Sequence, residues 1–215
     1  MSEKQILNAK IANIFEQEML PKSDLTEFIK LKYHYEQAGN EMKTLKYDVS
    51  ILNYHLNYNH EIFPNLDDDD LNRQVKTYIK NDKAMRLLSE LENNIIKVKN
   101  QIKNNYDRAE MDDIELMFLY CKGRYLIRGG VYTDGIMTME RVISLAKALN
   151  KQNMIIAGYK QMVIYGIQIN DAALMVKYIV PAMKVCKSAN AHADLGVFNR
   201  LYGLYHLMKG NIKQA

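Results

Sequence analysis

Apolar residues recur at intervals of three and four along most of this chain, and the breaks in that rhythm divide it into helices. The first stripe runs from about Lys4 to Met19 through Ile6, Leu7, Ile11, Ile14, Phe15 and Met19, and Pro21 ends it. Ser23-Asp24 supplies an N-cap for a second helix with Leu25, Phe28, Ile29 and Leu31, which closes at Gly39-Asn40. A third helix runs through Leu45, Val49, Leu52 and Leu56, and a long one from about Asp82 to Asn105 through Met85, Leu88, Leu91, Ile95, Val98 and Ile102. Between these two, Pro64 and Asn65 break the pattern, and Asp67 to Asp70 read as acids crowding a helix N-terminus, where free N–H groups and the helix dipole favour them.

After Asp112-Asp113, read as another cap, the pattern becomes periodic on a larger scale. One helix through Ile127, a turn at Gly129-Gly130 and a second helix from about Thr133 to Leu149 form a hairpin of about forty residues. A second hairpin follows with its turn at Ile169-Asn170, its second helix starting at Asp171 and interrupted at Pro181. "LGVFNRLYGLYHLMKGNIKQA" begins a third. Gly123 and Gly203 occupy matching places two periods apart, where a small residue lets paired helices approach closely. The middle hairpin has no Gly there and offers the small residues Ala172 and Ala173 on its second helix.

These hairpins resemble the tetratricopeptide repeat, whose pattern has a small residue at the eighth position, an aromatic at the eleventh and Ala at the twentieth. Tyr202, Gly203 and "KGNIKQA" match it best. The usual Trp is missing, Leu126 and His206 stand at the aromatic position, and the spacing exceeds the family's thirty-four residues. The resemblance implies an all-α fold of helical hairpin repeats, a tetratricopeptide-like superhelix over residues 111–215 whose last repeat is incomplete, preceded by an irregular helical N-terminal region over residues 1–110. Such a plan is also similar to the sensor regions of Gram-positive peptide-pheromone receptors of the Rap, Rgg and PlcR group. That resemblance implies repeats that bind a short peptide and control a DNA-binding domain or a partner protein. Met1 to Asn40 lacks the tight helix-turn-helix domain of the DNA-reading members, so direct DNA binding by this chain is not expected.

Composition adds bounds to this picture. With 48% apolar residues, only 10 Gly and 3 Pro, and no Trp, the chain suits a continuous helical core better than a turn-rich β fold or a glycine-loop enzyme. Its start has no secretory h-region and no stretch approaches eighteen apolar residues, so no membrane partner and a cytoplasmic location are expected. Cys121 and Cys186 stand far apart, which fits neither a disulfide framework nor a zinc site. The net charge of +4 is uneven: residues 1–110 hold 16 Lys/Arg against 18 Asp/Glu, and residues 111–215 hold 13 against 7. A basic second half favours an acidic or carboxylate-bearing partner.

Chemistry-bearing motifs are scarce. G-x-S-x-G, a phosphate loop and H-E-x-x-H are absent, His55 and His60 are five apart and off a common helix face, and the aspartate run lacks the alternation of a calcium loop. No metal or cofactor is expected. A helical-bundle hydrolase using Glu90, Glu92 and Asp107 is the remaining enzyme reading. The reading favoured instead is a non-catalytic regulatory module that binds a peptide or protein in a groove lined by the first helix of each hairpin, with a structural scaffold or assembly subunit as the alternative. With Gly123 as reference, the groove candidates are Met117, Tyr120, Arg124 and Arg128, then Gln161, Met162 and Tyr165, then Asn199, Arg200 and Leu204. Arg forks onto carboxylates, Asn and Gln pair with peptide groups, and Tyr and Met add adaptable contact. An uncovered last helix with Leu201, Leu204 and Leu207 leads to the expectation of a homo-oligomer.

Overall fold

The computed structural model describes residues 2–19, 24–56, 80–211 and 213, and every regular element among them is a helix. Pro21, His60, the Asp67–Asp70 run and Ala215 lie outside the described residues. The helices are α1 (Glu3–Glu18), α2 (Leu25–Ala38), α3 (Glu41–Leu56), α4 (Asn81–Gln101), α5 (Asn105–Arg128), α6 (Tyr132–Ala148), α7 (Gln152–Gln168), α8 (Ala172–Ser188) and α9 (His192–Met208). The all-α expectation holds. None of these helices is long and apolar enough to cross a membrane. The chain divides into two compact units, residues 1–121 and 122–215, and α5 runs through the division.

In the first unit, local sequence signals set the helix ends. Ser2 with Gln5 and Asp24 with Glu27 form reciprocal capping boxes on α1 and α2. Gly39, at φ 75°, turns the chain out of α2 in the left-handed conformation that glycine adopts without strain. Asp112 and Asp113, expected to cap a helix, instead lie inside α5. Asn104 does the capping: its Oδ1 accepts the Asp107 N–H at 2.8 Å and its Nδ2 donates to Asp107 Oδ2 at 2.7 Å. The buried series Met111, Ile114, Phe118 and Cys121 then carries the helix forward without interruption.

The core of this unit joins Leu45, Val49, Leu52 and Leu56 of α3 to Leu88, Leu91, Ile95 and Val98 on the buried side of α4. A second cluster packs Ala12 of α1 and Leu31 and Tyr35 of α2 against Tyr47 of α3. The sequence reading of α1 is corrected here. Most of its apolar stripe is not its core face: Asn8 and Ala12 are buried, Ile6, Leu7, Ile14 and Phe15 are exposed, Ile11 is half-buried, and Met19, also of the stripe, packs against the cluster. Polar anchoring explains the choice, because Asn8 bonds to His34 of α2 at 2.8 Å and Glu16 is held by four donors from α2 and α3.

The second unit has a strict metre. Left-handed residues occur at Gly130, Asn150, Asn170, Asn190 and Gly210, one every twenty residues. At each, the next N–H reaches back five residues: Val131 to the Leu126 carbonyl, Lys151 to Ala146, Asp171 to Gly166, Ala191 to Cys186 and Asn211 to His206, all at 2.8–2.9 Å. These are Schellman closures, and they cut the chain into helices of 17 residues, α6 to α9. The forty-residue hairpin is thus two twenty-residue halves.

Neighbouring helices pack through glycines. A Cβ at Gly123 would lie 3.1 Å from Met139 Cε, one at Gly135 2.9 Å from the Ile127 backbone nitrogen, and one at Gly166 2.9 Å from Met175 Cγ. In the middle hairpin the close approach falls to Gly166, while Gly158 of the same helix meets Ile143 of α6; Ala172 is half-buried and Ala173 exposed, so they are not the contact. Pro181 does not interrupt α8, which runs unbroken through it. Burial of Met175, Tyr178, Ile179, Ala182 and Cys186 against α7 and α9 outweighs the proline's cost of about 3 kcal/mol.

Candidate functional site

The twenty-residue turns fix a register for the odd helices α5, α7 and α9, and this register places the surface residues. Forty residues on from Tyr120, Arg124 and Arg128 stand Lys160, Ile164 and Gln168 on α7, and forty further Arg200, Leu204 and Met208 on α9. Residues four apart share a helix face. Lys160, Ile164, Leu204 and Met208 are half-buried, and Gln168 and Arg200 are exposed. α7 and α9 touch directly, and Lys160 Nζ lies 3.3 Å from Asp194 of α9. By this register Ile164 and Leu204 take equivalent places on the two helices, with Met208 one turn beyond Leu204 and Lys160 and Arg200 one turn before the pair.

The residues expected to line a groove separate accordingly. Arg200 belongs to this face. Asn199 is exposed but takes the register of Leu119 and Tyr159, which are core residues. Gln161 is only 8% exposed, and its counterparts Cys121 and Leu201 are buried. Met162 is wholly buried and drops out as a contact: it packs the core of the second unit and has no surface to offer. Tyr165 is half-buried with its ring 5.1 Å from that of Tyr132. Arg128 is half-buried and Arg124 buried, while Tyr120 is half-buried on the part of α5 belonging to the first unit.

Of the three candidates on α7, Gln161 and Tyr165 lie one position past Lys160 and Ile164 of this register, and Met162 lies between them. The signal that could have found the register is the trio Asn150, Asn170 and Asn190, evenly spaced and each ending a helix. The same register shows Tyr125, Tyr165 and Tyr205 repeating every forty residues, all half-buried. Tyr205 stacks on Tyr202 at 5.6 Å, and both rings meet the edge of His206. Leu201, expected to be uncovered, is buried within its own unit; Leu207 is 53% exposed.

The first unit holds the densest polar cluster. Glu16 Oε1 accepts from Tyr47 Oη at 2.7 Å and from Lys46 Nζ at 2.5 Å, and Oε2 accepts from Tyr35 Oη at 2.5 Å. Lys43 spans Glu16 and Glu110 at 3.2 and 3.0 Å. Burial pushes the Glu16 carboxyl up, but the hydrogen bonds from Lys46, Tyr35 and Tyr47 and the Lys46 charge outweigh it and bring the pKa down to about 2. Burial and the neighbouring carboxylate push both tyrosine hydroxyls up. Glu16 and the two tyrosines are thus each fixed in one protonation state near neutrality, which suits a structural clamp.

Clefts of about 540 and 270 Å³ open on the same unit. The larger is lined by Asn13, Tyr35, Gly39, Asn40 and Gln101, and the smaller by Asp48, His55, Glu90 and Leu91. Burial, with Lys83 nearby, lowers the His55 pKa. Of the carboxylates considered for hydrolysis, Asp107 is engaged in capping α5 and Glu90 lines the smaller cleft, where another carboxylate, Asp48, is paired with Lys32 at 2.6 Å. Among the described residues no three His, Cys, Asp or Glu side chains gather as a metal-binding group. No protein-family model, curated protein or solved structure matches this chain.

Proposed function

We propose that this chain is a non-catalytic regulatory binding module that holds an extended peptide, or a peptide segment of a partner protein, along the odd helices of its second unit. One observation supports the reading above others. The forty-residue register sets Lys160 and Arg200 beside the apolar row Ile164, Leu204 and Met208 on adjoining helices. An array that repeats one residue spacing offers equivalent positions to a ligand that itself repeats, as an extended peptide does. Exposed Arg200 selects a carboxylate-bearing ligand, Lys160 shares its charge between Asp194 and that ligand, and the half-buried apolar row takes its side chains. In this proposal the module is the sensor part of a cytoplasmic regulator of the peptide-receptor kind and does not contact DNA itself. Exposed Leu207 is the observation that favours the second reading, an assembly subunit.

The test is calorimetric titration of the whole chain with a library of short acidic peptides, each made with a free and an amidated C-terminus. Arg200→Ala should weaken binding by about 1.5–3 kcal/mol per lost charge-assisted contact, and Lys160→Ala by less because Asp194 already pairs with it, with the circular dichroism spectrum unchanged in both. Binding that ignores both substitutions, or no binding by any peptide, would transfer the weight to the assembly reading.

A further inference from the structure

The exposed face of α1 has its own spacing. Lys4, Leu7, Ile11, Ile14 and Glu18 follow one another at intervals of three, four, three and four, the seam of a heptad repeat. This seam is turned away from the face that buries Asn8 and Ala12. Leu7 is 59% exposed and Ile14 52%, Ile11 is half-buried, and Lys4 and Glu18 are exposed. Phe15 extends the apolar surface toward α2, where it meets the edge of the His34 ring at 5.7 Å, and His34 in turn meets exposed Tyr33.

The order of residues along the seam identifies what covers it. The three apolar positions are bounded by a cation at one end and an anion at the other, so the seam read backwards is its own complement. Antiparallel pairing with a second copy places Lys4 opposite the partner's Glu18, Leu7 opposite the partner's Ile14, and Ile11 opposite itself; both ion pairs then form. Parallel pairing would set Lys4 on Lys4 and Glu18 on Glu18. The helix dipole supplies independent support. Lys4 in the first turn, beside the acid Glu3, and Glu18 in the last are each at the unfavourable end of their own helix, and α1 has no basic residue in its last turn to offset Glu18. An antiparallel partner corrects both ends at once.

We infer that α1 is a self-recognition element through which two copies of this chain pair antiparallel about Ile11. This stands apart from peptide binding by the second unit. The seam from Lys4 to Glu18 is about 21 Å long, short for an interface, but its helix is already formed by packing on α2, so no folding cost opposes docking. The dimer is therefore weak and dissociates on dilution.

Sedimentation equilibrium of the full chain across the micromolar range tests this. Wild type should show a reversible monomer–dimer equilibrium, and Ile14→Asp should be monomeric throughout. Lys4→Glu and Glu18→Lys should each weaken the dimer at least about fivefold, although both substitutions suit the α1 dipole and so favour the fold. An equimolar mixture of the two single variants should restore the wild-type dissociation constant, because every seam end again meets its opposite. A wild-type monomer across the range, a dimer indifferent to Ile14→Asp, or a mixture that stays as weak as its components would each overturn the inference.

Discussion

Single residues set the terms of stability in both units, and Glu16 is the clearest case. Its carboxyl ionises at about 2 in the folded chain against an ordinary 4.5. A depressed folded pKa means that its contribution is complete above about pH 4.5 and is lost as pH falls toward 2. Unfolding free energy measured in urea should therefore decline across that window, and Glu16→Gln should flatten the decline while costing about 1–3 kcal/mol at neutral pH. Asn170 works through backbone geometry instead. Its φ of 55° strains a residue with a Cβ, so Asn170→Ala should lower stability by about 1 kcal/mol and Asn170→Gly should leave it level or higher, both read from urea midpoints. The capping residues Asp24 and Gly39 were legible in the sequence because their chemistry is local. The left-handed role of the asparagines was not, since Asn also occurs freely on helix surfaces and only its twenty-residue recurrence marks it.

At the level of helices, the distance between neighbours depends on where glycine has no room for a methyl group. Gly135→Ala would drive a Cβ to 2.9 Å from the Ile127 nitrogen, a backbone atom that cannot step aside. It should destabilise by about 1–3 kcal/mol. Gly196, near the start of α9, faces open space, so Gly196→Ala should instead stabilise by up to about 1 kcal/mol through helix propensity alone. Thermal melts of the two variants check both signs. Helix existence was readable from apolar periodicity, but helix facing was not always. In α1 most of the apolar stripe points outward, and the face turned to α2 and α3 is the one on which Asn8 and Glu16 find hydrogen-bond partners. In α7 the candidates Gln161 and Tyr165 lie one residue past Lys160 and Ile164, and one residue on a helix is a turn of about 100°, enough to exchange half-buried Lys160 for buried Gln161.

For the molecule as a whole, the two compact units give ligand effects an address. A carboxylate-bearing peptide held by the proposed face should raise the melting of the second unit by an amount that grows with ligand concentration, as mass action requires, and hydrogen exchange should slow in α7 and α9 before α2 and α3. Its affinity should fall as salt is added, since Lys160 and Arg200 act through charge. Exchange that slows only in the first unit would contradict the assignment of the face.

The two cysteines offer a way to watch these units separately. Cys121 is buried at the last position of the first unit, where its thiol lies 3.4 Å from Asn53 Oδ1, and Cys186 is buried in the second unit on α8. The chain has 2 Cys in all. Burial pushes the Cys186 thiol pKa up, with Asp194 adding to the effect, so it reacts little until its surroundings open. Each unit therefore contains one native chemical clock. The rate at which a maleimide captures each thiol, resolved by peptide mass, reports how often that unit breathes, in an unmodified chain and without a chromophore.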